Sequence, residues 1–385
     1  TLGFAHNFAA STNGRTSVMD YPHPKISLKN GKIDFSEAYD DKIGAWDKVT
    51  VAYSYQDFPK EVNEEIELRK ILYDAFASGL RYLTDNDARP LGSASISAHL
   101  WDNGVTIYDD LYNVLNIRKK AIENFSADNI KSHEPYSVLE DVFVPLYFFH
   151  RYQTEATAKI IGGLEYSYAV KGGNETIVKR VSGTIERTAL QAILKTIAVD
   201  EIAIPKEKLA LFPPRAYGYD RTRESFKSKL GVEFDAFSAV ETSSEMTLEL
   251  LLHPQRVSRL IAHKSLDDSQ LGFEELLDEL IAISFKKTYK DSYYQELQNI
   301  INMAVLKQLF YLSSNKNQYP QVNAIVDFKL KEIKLYLKDG KSKGLQKMYD
   351  KAMIEMMSSF QKNPTSFKRQ NSPKIPDGSP IGTNN

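Results

Sequence analysis

A glycine and a histidine near the start of the chain have a spacing that suits a metal site. Gly3 lies three residues before His6. In the zinc-binding pattern His-Glu-x-x-His-x-x-Gly-x-x-His, a helix presents two histidines at i and i+4 on one face. The glycine ends that helix because it adopts the left-handed conformation at little cost, and the third histidine then reaches the same metal. Gly3 and His6 match the second half of this pattern, as if the residue before Thr1 were the second histidine.

A short run further along the chain extends the pattern. The run is Ser17-Val18-Met19-Asp20-Tyr21, and it matches the Met-turn that follows the third histidine in such zinc sites. Either motif alone is weak evidence, because Gly-x-x-His and Met-Asp-Tyr both occur often by chance. Their occurrence in this order supports a zinc site more strongly than either motif does alone.

The sequence resembles zinc-dependent metallopeptidases of the metzincin type, and more closely a large bacterial family of zinc-dependent metalloproteases. In that family a His-Glu-Val-Gly-His helix runs into Thr-Leu-Gly-x-x-His-Asn-Phe, and this chain begins Thr1-Leu2-Gly3-Phe4-Ala5-His6-Asn7-Phe8. The resemblance continues through residues 43–47, 53–55, 85–90, 100–104 and 144–152. It implies a zinc metalloendopeptidase that hydrolyses peptide bonds in a protein or peptide substrate with a zinc-activated water.

The resemblance also implies roles for three side chains. His6 is expected to be the third zinc ligand, and Met19 to pack beneath the metal without binding it. Tyr21 is expected to be the catalytic residue that donates a hydrogen bond to the oxyanion of the tetrahedral intermediate. The first two histidines and the glutamate base are not among the printed residues. We therefore expect the chain as printed to be an inactive fragment, with Zn²⁺ bound only in the intact protein.

Composition excludes several other classes of protein. Lys and Arg total 49 against 50 Asp and Glu, so the chain lacks the positive charge typical of a nucleic-acid-binding protein. No run approaches the roughly 18 apolar residues of a membrane span, and no glycine-rich nucleotide motif is present. Cysteine is absent, which excludes disulfides and thiolate metal sites. The resemblance alone suggests a secreted or periplasmic protein, and the oligomeric state stays open.

Hydrophobic spacing predicts a mainly α-helical fold. We expect the C-terminal end of a metzincin-like peptidase domain over residues 1–60 and a multi-helix region over 61–362. One β-hairpin is expected near 164–181, and a tail rich in Pro, Ser and Asn at 363–385. The Pro and Gly residues of 22–60 predict loops and short turns, apart from a helix at 43–55 that buries Trp46. Further helices are predicted at 61–83, 105–131, 138–152 (kinked at Pro145), 187–198, and from residue 247 onward, ending in a helical hairpin across 339–344.

The segment 84–104 allows two interpretations. Its acidic residues, together with His99 and Trp101, could line a substrate cleft, or the aspartates could stabilise a rigid turn by capping backbone N–H groups. For the whole chain, the alternative to a peptidase is a non-catalytic helical module that binds a protein or glycan. A degenerate peptidase that keeps the fold without the chemistry is a third possibility.

Overall fold

Helices make up most of this computed structural model, which describes residues 3–102, 106–173, 175–222, 225–364 and 367. The mainly α-helical prediction is confirmed. Thr1, Leu2, residues 103–104 of the acidic segment and most of the 363–385 tail lie outside the described residues. The α-helices are α1 (Ala45–Tyr55), α2 (Glu64–Ala77), α3 (Asp85–Ala88), α4 (Ile107–Asn124), α5 (Leu139–Tyr147), α6 (Arg151–Ala158), α7 (Gly183–Lys195), α8 (Val199–Ile202), α9 (Lys206–Leu209), α10 (Ala236–Leu251), α11 (Pro254–Leu266), α12 (Phe273–Ile283), α13 (Ser292–Ser314), α14 (Pro320–Asp339) and α15 (Gly344–Lys362).

In the part of the chain that the structure describes, four short strands form two antiparallel hairpins. The hairpin of β3 (Leu164–Tyr166) and β4 (Val178–Arg180) was predicted, and it pairs Leu164 with Arg180. The hairpin of β1 (Ser27–Lys29) and β2 (Lys32–Asp34) lies where only loops and short turns were expected. Its turn is Asn30-Gly31, with φ of 53° and 73°. Two such residues with positive φ are the usual connection of a two-residue hairpin, so the sequence did carry this signal.

The first helix is fixed against the N-terminal segment. The backbone N–H of Trp46 donates to Thr16 O at 2.9 Å, and the buried indole stacks on Tyr82 with ring centroids 5.2 Å apart. Gly44, just before α1, lies so close to the backbone that a Cβ there would come within 1.8 Å of Thr16 O. A side chain at position 44 would therefore push α1 away from this segment. The predicted burial of Trp46 agrees with the structure.

The single kinked helix predicted over 138–152 is instead two helices. In a continuous helix the Tyr147 carbonyl would accept from the N–H of Arg151. Here the buried guanidinium of Arg118 donates to that carbonyl at 2.7 Å, and the Arg151 N–H donates to Phe148 O at 3.0 Å. The long-range bond from Arg118 thus replaces the helical bond, and the chain turns between α5 and α6.

Three hydrophobic clusters hold the described residues together. The largest joins α4, α6–α8 and α10–α15, and a second is rich in aromatic residues, with Phe212 stacked on Phe234 at 4.2 Å. The third is small and lies near the N-terminus, where Phe8 packs with Leu83, Ala88 and Ala98. Helices α14 and α15 form the predicted hairpin, and on α15 the apolar side chains of Leu345 and Met348 are exposed. Phe8 and α1 pack against residues beyond position 60, so contacts join the two sides of the predicted domain boundary. The boundary itself stays a prediction.

Candidate functional site

The segment carrying His6 is tied to two distant parts of the chain by the residues that follow it. The backbone N–H of Asn7 donates to Met19 O at 3.2 Å, and Phe8 N–H donates to Leu83 O at 2.9 Å. The buried side chain of Asn7 donates to Arg81 O at 2.8 Å, and its Oδ1 accepts from the N–H of Ala9 at 3.2 Å. These bonds position His6 between the 17–21 turn and the residues that precede α3.

The 17–21 turn is a capped turn of 3-10 helix at Val18–Asp20. Ser17 caps it, because its hydroxyl oxygen accepts from the N–H of Met19 at 3.0 Å. The Ser17 hydroxyl in turn donates to Asp47 Oδ1 at 2.7 Å, and Val18 N–H donates to Asp47 Oδ2 at 3.0 Å. A carboxylate on α1 therefore fixes the turn from outside.

The turn ends in a tyrosine with an unusual backbone conformation. Tyr21 has φ 53° and ψ 52°, the left-handed region that a bulky residue rarely adopts. This conformation brings its ring edge-on to the ring of His6, with centroids 5.1 Å apart and an interplanar angle of 67°. Tyr21 is also 37% exposed. The structure thus brings together an imidazole and an accessible phenol that are distant in sequence.

A carboxylate contacts the imidazole at Nδ1. His6 Nδ1 is 2.8 Å from Asp85 Oδ2 and 3.1 Å from Asp85 Oδ1. Partial burial alone would raise the pKa of Asp85, but hydrogen bonds from Arg89, His6 and Thr84 outweigh it and lower the pKa to about 2. Asp85 is therefore ionised, and it accepts hydrogen bonds without donating any.

A buried polar layer adjoins the 17–21 turn. Burial, followed by the charge of Asp102, raises the pKa of Asp20 to about 8, and burial raises the pKa of Asp102 to about 7. Burial, followed by the charge of Lys159, lowers the pKa of His99 well below its usual range. The ammonium of Lys159 donates to Ala88 O at 2.5 Å and to Ala98 O at 3.0 Å. These titratable side chains are enclosed rather than presented to solvent, and burial favours the uncharged forms of Asp20 and His99.

The residues predicted for the site lie in contrasting environments. His6 and Tyr21 meet, and Met19 is joined to the His6 segment through its backbone carbonyl; the roles predicted for all three stay predictions. In the acidic segment, Asp85 faces His6, whereas His99 and Asp102 are almost fully buried and do not line an open cleft. The positions of Asp47 and Asp85 were not predicted, because nothing local in the sequence connects them to residues 17 and 6.

A zinc ion would find one fitting ligand in the part of the chain that the structure describes. The carboxylate of Asp85 occupies His6 Nδ1, and a neutral imidazole held in this way offers Nε2 to a metal. No group of three or more His, Asp or Glu side chains among the described residues could hold a metal ion. The described residues therefore supply one ligand that suits zinc and do not form a complete zinc site.

Comparison with known families agrees with this class of site. The model of a family described as Met-zincin matches residues 1–292. The chain belongs to this family, which confirms the resemblance to metzincins and identifies a domain of the metallopeptidase type. The searches of curated proteins and of solved structures found no match. Within the described ranges, no helix combines the length and the apolar character that crossing a membrane requires.

Proposed function

We propose that this chain supplies the third zinc ligand and the oxyanion-stabilising phenol of a zinc metalloendopeptidase. The observation that carries the proposal is the contact between His6 and Tyr21, whose rings lie 5.1 Å apart. In this proposal, His6 binds the metal through Nε2, and the remaining zinc ligands and the glutamate base come from outside the described residues.

The residues of the chain would have distinct parts in hydrolysis. A bound zinc ion supplies Lewis acidity and a water of lowered pKa. Tyr21, exposed beside His6, donates its phenolic proton in a hydrogen bond to the oxygen that becomes negative as the peptide carbonyl turns tetrahedral. The Tyr21 ring lies edge-on to His6, and Ser17 and Asp47 hold the turn that precedes it.

The test compares zinc content and peptide hydrolysis in the full-length protein. We expect about one zinc per wild-type chain and metal-dependent cleavage of a casein substrate. His6→Ala should lose both, and the exposed His133→Asn should keep both. His133 has φ 72°, which asparagine tolerates. Unchanged zinc content in His6→Ala would refute the proposal and favour the non-catalytic interaction module.

A further inference from the structure

The contact between His6 and Asp85 has the geometry of a metal ligand and the carboxylate that orients it. Both oxygens of Asp85 lie within hydrogen-bonding distance of Nδ1, and the nearer is 2.8 Å away. Arg89 and Thr84 also donate to these two oxygens, so Asp85 acts as a hydrogen-bond acceptor here and the proton of the contact lies on Nδ1. In a neutral ring this leaves the lone pair on Nε2. None of the hydrogen bonds described for this chain uses Nε2.

Asp85 is itself held in place by its neighbours. The Arg89 guanidinium donates to Oδ1, and the Thr84 hydroxyl donates to Oδ2 at 3.1 Å. Arg89 also lies over the ring of Phe8, 5.5 Å from its centroid. The carboxylate therefore has donors on both oxygens apart from His6, and a fixed position relative to the N-terminal segment.

The imidazole has aromatic neighbours that limit its rotation. Phe8 lies 5.0 Å from the His6 ring at 33°, and Tyr21 lies 5.1 Å from it at 67°. Only 29% of the His6 side chain is exposed. These rings restrict the plane of the imidazole, but they do not determine which nitrogen carries the proton. The carboxylate of Asp85 determines which nitrogen carries the proton.

We infer that Asp85 is a positioning residue that fixes His6 in the Nδ1-protonated tautomer and directs Nε2 toward the zinc ion. The inference rests on the proposed function, because it presupposes that His6 binds zinc. Carboxylates that accept the free N–H of a metal-bound histidine raise its basicity, and their loss commonly weakens metal affinity 10- to 100-fold. Arg89 and Thr84 then act one step further out, by holding the carboxylate.

Two measurements test the inference. In the full-length protein, zinc affinity is determined by competition with a chromophoric chelator for the wild type, His6→Ala, Asp85→Ala, Asp85→Asn and Asp87→Ala. In the 385-residue chain, the side-chain ¹⁵N shifts of His6 report its tautomer without any metal. Asp87 is a matched control, because its carboxylate lies on the same short helix but binds the phenols of Tyr166 and Tyr168.

We expect Asp85→Ala to bind zinc 10- to 100-fold more weakly than the wild type and to lose the single Nδ1–H tautomer. Asp85→Asn, which keeps an acceptor oxygen, should lie between them and serves if the alanine variant does not fold. Asp87→Ala should match the wild type in both measurements. Wild-type zinc affinity in both Asp85 variants, with His6→Ala defective, overturns the role of Asp85 alone. Equal zinc binding by the wild type and His6→Ala overturns the proposed function and the metal role of Asp85 with it.

Discussion

Asp47, on the first turn of α1, accepts a hydrogen bond from the hydroxyl of Ser17 at 2.7 Å, across 30 residues of sequence. The same carboxylate accepts from the N–H of Gly44 at 2.7 Å and from that of Val18. Asp47→Ala would leave these donors without their acceptor in a largely buried place. We expect the free energy of unfolding to fall by about 2–3 kcal/mol, measured by urea denaturation.

The control for that substitution is Asp57→Ala. Asp57 is exposed and lies just beyond the end of α1, so its loss should change stability by less than about 0.5 kcal/mol. If Asp47→Ala were as stable as this control, the hydrogen bonds that Asp47 accepts would contribute no stability.

Asn7 and Asn13 form a matched pair of asparagines. Each donates a side-chain hydrogen bond of 2.8 Å to a distant backbone carbonyl, Asn7 to Arg81 and Asn13 to Gly79. Asn7 is fully buried and Asn13 is exposed. Asn7→Ala should therefore cost about 2–4 kcal/mol of unfolding free energy, and Asn13→Ala less than about 1 kcal/mol. Thermal denaturation of both variants checks this, and similar losses would contradict the assigned importance of burial.

Tyr21→Phe removes the phenolic hydroxyl and keeps the ring, so it distinguishes the contributions of the two. The ring contact with His6 is kept, so the fold and zinc content of the full-length protein should not change. Without the hydroxyl, we expect kcat for peptide hydrolysis to fall about 10²- to 10³-fold with little change in KM. Tyr39→Phe, at a side chain 74% exposed, is the control. Unchanged turnover in Tyr21→Phe would end the oxyanion role.

The raised pKa of Asp20 predicts a dependence of stability on pH. An unfolded aspartate has a pKa of 3.8, and burial raises it to about 8 in the folded chain. The folded state therefore binds this proton more tightly, so its stabilising effect is complete below about pH 4 and is lost as the pH rises through 8. Asp20→Asn, which cannot ionise, should lose less stability between about pH 5 and pH 9 than the wild type.

Urea unfolding at those two pH values measures the effect. Exposed Asp268→Asn should follow the wild type at both. Identical pH dependence in the wild type and Asp20→Asn would mean that Asp20 titrates in the folded chain much as it does in the unfolded one.

The parts of the fold that the sequence predicted are those governed by local pattern. Apolar spacing located α2, α4 and α7, and alternation located the β3–β4 hairpin. The break between α5 and α6 was not predictable in this way, because it depends on Arg118 reaching the carbonyl of Tyr147 from another helix. The β1–β2 hairpin could have been predicted from Asn30-Gly31, whose type I′ preference is local.

In the candidate site too, the residues that belong to a local motif were predicted and those that depend on long-range contacts were not. His6, Met19 and Tyr21 were predicted because their spacing forms a motif, and their roles stay predictions. Asp85 was recognised only as one of several acidic residues, because it lies 79 positions from His6 in the sequence and no local pattern indicates their contact. The burial of His99 and Asp102 was also missed, because polar side chains in a turn-rich segment give no local sign that the chain will enclose them.

The sequence separation of His6 and Asp85 also bears on protein synthesis. Chains emerge N-terminus first at about 5–20 residues per second, so the 79 residues between the two positions take roughly 4–16 s to translate. During that interval the imidazole lacks the carboxylate that selects its tautomer. On the ribosome, His6 would thus lack its carboxylate partner until α3 has emerged and docked.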